Sequence, residues 1–178
     1  MRTLVRGLLL PLSIIVGLTV FAPSAQAQAV ARMAAAGIDA GALKPGWVLE
    51  GENVIWGDGD AILSFGAAAA SNACASTYVC LYDNIYFDDQ NRDGNPDGAK
   101  IVRLRGTVMH YMSWYGFDNM MSSWKNYAAV GVLWYRNAPP TGEAGKCMRS
   151  GTSYPAAGYQ DNDTMSALYI YSAKPGCL

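Results

Sequence analysis

The chain has 178 residues, a formal net charge of −1 and a single histidine. That charge balance provides no basic face for a nucleic acid, and one histidine excludes a multi-histidine metal centre. The length fits one domain with an additional arm.

The opening stretch "MRTLVRGLLLPLSIIVGLTVFAPSAQAQA" passes from Arg2 and Arg6 through an apolar run to alternating small residues. This is the layout of a secretory leader, with cleavage expected after Ala27 or Ala29. The run contains Pro11 and is shorter than the ~20 residues of a spanning helix. Residues 1–27 are therefore read as a signal peptide, and the mature chain as secreted, without a membrane span and monomeric. Two of the 13 basic residues lie in the leader, so 11 remain against 14 acidic ones.

Residues 28–70 form the arm. "AVARMAAAGIDAGALKPG" is rich in small residues and reads as helical or loose. In "ENVIWGDGDAILSF", Val54-Ile55-Trp56 and Ala61-Ile62-Leu63 flank Gly57-Asp58-Gly59-Asp60, which predicts a β-hairpin. "GAAAASNA" then reads as a linker.

Residues 71–178 have an all-β texture. Short aromatic or β-branched runs ("YVCLY", "KIVRL", "VMHYMSWY", "AAVGVLWY", "SALYIY") alternate with Gly, Pro, Asn and Asp, which predicts a sandwich or barrel. Cys74, Cys80, Cys147 and Cys177 all lie after the leader, and an even count in an exported chain predicts two disulfides. Four cysteines allow three pairings; Cys74–Cys80 with Cys147–Cys177 is favoured.

The body repeats itself, over about 74–127 and 128–178. "CLYDN" around Tyr82 matches "LWYRN" around Tyr135, so Asn84 corresponds to Asn137. Further on, "DNMMSSW" at Asp118 matches "NDTMSAL" at Asn162, with Ser122 and Ser166 at the fifth position. The first copy is longer, and "DDQNRDGNPDG" accounts for the difference. An internal duplication governs the fold reading.

Two copies of Asn/Asp-Asn/Asp-x-x-Ser/Thr-Ser, each preceded by an aromatic strand, resemble the βγ-crystallin Greek-key domain. With "YVCLYDN", the early cysteine pair and the leader, the chain also resembles the actinobacterial secreted peptidase-inhibitor family of the metalloproteinase-inhibitor type, which shares that fold. The resemblance runs from Cys74 to the C-terminus; "DNMMSS" matches the motif fully, whereas "NDTMSA" carries Ala167 in place of the last Ser. It implies an all-β sandwich of two Greek-key motifs behind an arm bearing a hairpin. It also implies a non-enzymatic inhibitor of an extracellular peptidase, with a metalloproteinase as the candidate partner. An alternative is a calcium-binding structural or envelope module without inhibitory activity.

Calcium collects six to eight oxygen ligands. By carry-over from crystallin domains, Asp118, Asn119 and Ser122 would serve in the first copy, and Asn162, Asp163 and Ser166 in the second. The same residue types also stabilise turns by bonding nearby backbone. The insertion is a further Ca2+ candidate: Asp89, Asn91, Asp93, Gly94 and Asp97 follow an EF-hand-type spacing, but Lys100 stands where a bidentate Glu belongs.

An inhibitor of the substrate-like kind presents a rigid extended loop, so that little ordering entropy is lost on binding. "RNAPPTGEAGKCMRSG" and "CASTYVC" have that composition, and Lys146, Cys147 and Met148 are the candidate contact residues. His110 lies in an aromatic strand, where alternation predicts a shared face with Met112 and Trp114. No nucleophile elbow or similar turn accompanies it, so no enzyme is expected. Trp114, Tyr115, Trp124, Tyr127, Trp134, Tyr135, Tyr169 and Tyr171 provide a third reading, a glycan-binding surface, against the usual duty of such rings in a core.

Overall fold

The computed structural model describes residues 23–57, 59–69, 73–88 and 100–172. Helix α1 spans Ala25–Ala35. Ser24 caps it by accepting a bond from Ala27 N at 3.2 Å, which satisfies one of the donors left free at a helix start. The other end closes through Gly37 at φ 68°, with Gly37 N donating to Ala34 O and Ile38 N to Met33 O. That is the Schellman arrangement, which suits glycine in the left-handed region. Ala29 and Met33 form the buried face. The small-residue stretch is thus helical only as far as Ala35 and irregular from there to Gly46, and the expected cleavage after Ala27 falls inside the first turn.

Eleven strands follow among the described residues: β1 Trp47–Glu50, β2 Asn53–Trp56, β3 Ala61–Ser64, β4 Val79–Tyr82, β5 Ile101–Leu104 and β6 Met109–Tyr111. They continue with β7 Ser123–Asn126, β8 Val132–Tyr135, β9 Lys146–Met148, β10 Thr152–Tyr154 and β11 Ala167–Ile170. The predicted hairpin is β2–β3, paired antiparallel from Asn53↔Ser64 to Trp56↔Ala61. Strand β1, which the sequence reading left out, pairs with β2. On its other side β3 pairs with β5, so the hairpin joins the sheet of the body.

One sheet has the order β1-β2-β3-β5-β4-β7-β10, and the other β6-β11-β8-β9. All pairings are antiparallel. The connectivity is reciprocal. Strands β4, β5 and β7 of the first repeat form sheet neighbours, while β6 of that repeat crosses to the second sheet. Strands β8, β9 and β11 of the second repeat likewise stay together, while β10 crosses to the first sheet.

Both sheets feed one core, in which Leu81, Val102, Phe117, Met121, Trp134, Met165 and Leu168 are buried together. Strand β4 is buried along its whole length. Its alternate residues Cys80 and Tyr82 belong to a second cluster with Ile101 and Ala69, on the opposite face of the sheet. Cys74 and Cys80 are disulfide-bonded, as favoured from the sequence. Cys147 is also disulfide-bonded, and Cys177 lies outside the described residues.

"VMHYMSWY" departs from the expected strand. Strand β6 stops at Tyr111, and Met112–Tyr115 forms a 3₁₀ turn ended by Gly116 at φ 63°. The turn breaks the twofold alternation of a strand. His110, Met112 and Tyr115 are consequently buried while Trp114 is half-buried.

Candidate functional site

The two repeated polar loops meet. The first lies between the 3₁₀ turn and β7, the second between β10 and β11. Asn119 and Asp163, the second residues of the two motifs, adopt φ 55° and 54°. This left-handed conformation is one that Asn and Asp tolerate better than most residues. It turns each loop towards the other. Asn119 N donates to Met165 O at 3.0 Å, and Asp163 N to Met121 O at 3.1 Å.

The side chains repeat the exchange. Ser122 Oγ donates to Asp163 Oδ1 at 3.2 Å, and Ser166 Oγ to Asn119 Oδ1 at 3.3 Å. The backbone of each Ser is fixed in the same manner: Ser122 N donates to Tyr82 O at 2.8 Å and Ser166 N to Tyr135 O at 2.9 Å. Each Ser carbonyl also accepts, from Ala157 N at 2.7 Å and from Met112 N at 2.9 Å respectively. Each of these contacts of one loop thus has a counterpart in the other.

The fourth position explains why the loops stay seated. Met121 and Met165 are buried, as are Ser122 and Ser166 beside them. A methionine at the same place in both copies was visible in the sequence, but it was treated there as a spacer. The outer residues remain in solvent. Asn119 Nδ2 donates to Asp118 Oδ2 at 3.2 Å, and Asn162 Nδ2 to Asp163 Oδ2 at 2.7 Å.

These donors are oxygens of hydroxyl, carboxylate and amide groups, the set that a hard cation such as Ca2+ selects. Each pair brings two oxygens from different loops to within 3.3 Å of one another. The pairs differ in charge: Asp163 supplies a carboxylate to one, and Asn119 a neutral amide to the other. Among the described residues no three His, Cys, Asp or Glu side chains gather in a metal-holding group. A cation at these loops would therefore depend on Ser, Asn and backbone oxygens.

The last motif position separates the copies. Ser123 Oγ donates to Asn84 O at 2.6 Å and accepts from Phe87 N at 3.1 Å. It fastens the start of the long insertion. Ala167 has no hydroxyl to do this for Asn137. There Glu143 takes over: its carboxylate accepts from Arg136 N at 2.6 Å, Asn137 N at 3.2 Å and Asn137 Nδ2 at 2.7 Å. These bonds hold the Glu143 carboxyl below its ordinary pKa, led by the one from Arg136 N.

At the root of the insertion Tyr86, Phe87 and Asp88 take φ 55°, 61° and 67°. Three consecutive left-handed residues without glycine are unusual. Asp88 is fully buried; its Oδ1 accepts from Asn84 N at 3.1 Å, and its Oδ2 has no good hydrogen-bond partner among the described residues. Asp83 lies beside it and accepts from Lys100 N at 2.9 Å. Burial first, then the neighbouring Asp83 carboxylate, pushes the Asp88 pKa well up. This pair has no signature in the sequence, because nothing local distinguishes Asp83 and Asp88 from solvated loop acids. The calcium candidates Asp89, Asn91, Asp93 and Asp97 lie outside the described residues.

Lys146, Cys147 and Met148 are not a loop. They form β9, paired with β8 from Val132↔Met148 to Trp134↔Lys146. Met148 is fully buried and so cannot enter a peptidase pocket, and Lys146 contacts Asp161. The segment before the strand, clasped by Glu143, is largely exposed. The aromatic set is divided as well: Tyr115, Trp124 and Trp134 belong to the core, whereas Tyr127 is exposed.

No protein-family model matches the chain, and neither a characterised protein nor a solved structure shows significant similarity to it.

Proposed function

We propose that residues 71–178 are a βγ-crystallin-like domain of two Greek-key motifs, and that its paired loops bind Ca2+ and lock the two halves together outside the cell. The reciprocal bonds Ser122–Asp163 and Ser166–Asn119 carry this reading. Support comes also from the exchange of β6 and β10 between the sheets. The Cys74–Cys80 disulfide suits an oxidising compartment.

Ser122 with Asp163 would hold one ion, and Ser166 with Asn119 a second, weaker one. A bound cation would supply a bridging charge between loops that now meet only through single hydrogen bonds. The chain's own part is preorganisation: buried Met121 and Met165 and the left-handed Asn119 and Asp163 set the oxygens before the ion arrives. Ca2+ should raise the melting temperature, and Ser122→Ala should remove most of that rise. A full calcium response in Ser122→Ala would overturn this assignment of the site.

A second reading, inhibition of an extracellular metalloproteinase, is favoured by the Glu143 clasp. Residues 136–139 are exposed, and the three bonds to Glu143 fix their base. A pre-shaped loop loses less conformational freedom on binding. Titration of a thermolysin-like and a subtilisin-like protease with the purified mature chain tests it. Unchanged activity of both at micromolar inhibitor would exclude it.

A further inference from the structure

A cavity of about 300 Å3 opens between the β2–β3 turn and the segment from β5 to the 3₁₀ turn; His110, Trp56, Trp114 and Tyr115 line it, together with Asp60 and Arg105. Its size is at the lower end of small-ligand sites. His110, Trp56 and Tyr115 are buried, so they form its inner wall. Asp60 and Arg105 are solvent-accessible and form its mouth.

The inner wall has an unmatched polar atom. His110 Nδ1 meets the Tyr115 hydroxyl at 2.9 Å. His110 Nε2 has no hydrogen-bond partner, although the residue is only 2% exposed. Burial pushes the ring's pKa down to about 4, against the backbone carbonyls of Gly106 and Arg105. The imidazole is therefore neutral at physiological pH.

Charges of both signs surround the opening. Arg105 Nε lies 3.2 Å from Asp60 Oδ1. The Lys44 ammonium sits 4.7 Å from the centre of the Trp114 ring, so a donor stands beside apolar surface. An anion would meet Asp60, and a cation would meet Lys44 and Arg105. A ring bearing hydroxyls meets both signs, donating to Asp60 and accepting from Lys44 and Arg105 with Trp114 beside it.

We infer that this cavity binds one neutral sugar ring, free or at the end of a glycan. The inference does not depend on calcium at the paired loops. Saturation-transfer NMR on the full mature chain, with glucose, N-acetylglucosamine and an N-acetylglucosamine trimer as probes and benzoate as the anionic comparison, tests it. At least one sugar should give a saturable signal, competed by the others, and Trp114→Ala and Asp60→Ala should each weaken it about tenfold. A trimer that saturates where both monosaccharides fail assigns the site to a glycan end. Both variants should keep the wild-type calcium response, which separates this site from the paired loops. No saturable sugar signal, a signal undiminished in both variants, or binding of benzoate alone would overturn the inference.

Discussion

Ser122 donates a hydrogen bond to Asp163, and Ser166 returns an equivalent bond to Asn119, so that two loops far apart in sequence hold each other through matching atoms. Each contact joins one repeat to the other. Their worth is therefore in fastening the halves as well as in shaping a turn.

Replacing Ser122 by Ala should cost about 0.5–1.5 kcal/mol without any added ion, the usual net value of one hydrogen bond. Urea unfolding of the wild type, Ser122→Ala, Ser166→Ala and the double variant measures it. The double variant should depart from the sum of the single losses by about 0.5 kcal/mol or more, since both pairs belong to one hydrogen-bonded network between the same loops.

The asymmetry between the loops gives a second expectation. Asn119→Asp places a carboxylate in the neutral pair, beside the existing Asp118. Without calcium this variant should be less stable than wild type, because two adjacent carboxylates repel. With calcium it should bind the second ion more tightly. Melting temperatures with and without the ion should therefore cross.

Much of the pairing was legible in the sequence because the two loops carry the same residue types at the same offsets. Ser122 and Ser166 were matched on their neighbours alone, and the hairpin at Trp56 and Ala61 followed from alternation around a glycine turn. What escaped depended on contacts distant in sequence. Strand β9 was read as a loop because prolines and glycines precede it, whereas its state is set by pairing with β8. The 3₁₀ turn at Met112–Tyr115 looked like continued strand because its aromatic residues suit either conformation. Asp88 is buried, with half-buried Asp83 beside it, only through the packing around them.

That pair predicts a dependence on pH. Unfolded aspartates titrate near pH ~4, whereas burial raises both Asp83 and Asp88 in the folded chain, and the Asp83 carboxylate raises Asp88 further. Lys100, Arg103 and Lys125 face the cluster and oppose the shift without cancelling it. Between the two pKa ranges the folded state holds more protons than the unfolded one, so stability falls as pH rises through that window. It levels off once the folded pair has ionised. Asp88→Asn should flatten the slope and raise the melting temperature at about pH 9 relative to wild type.

The two sides of the Glu143 loop should respond differently. Glu143→Ala removes three bonds from an exposed segment, so limited proteolysis near residues 136–145 should accelerate while global stability changes little. Met148→Ala opens space in the core and should cost about 2–5 kcal/mol. If the reverse pattern appeared in proteolysis and denaturant unfolding, the assignment of β9 to the core would be wrong.

The most direct test is calorimetric titration of Ca2+ into the metal-free mature chain, beside the Ser122→Ala, Ser166→Ala double variant. The wild type should release or absorb saturable heat and melt at a higher temperature with the ion, and the double variant should show neither. A wild type that gives no binding heat and no melting shift at millimolar Ca2+ would contradict the account, leaving the paired loops as a fastening between the two halves.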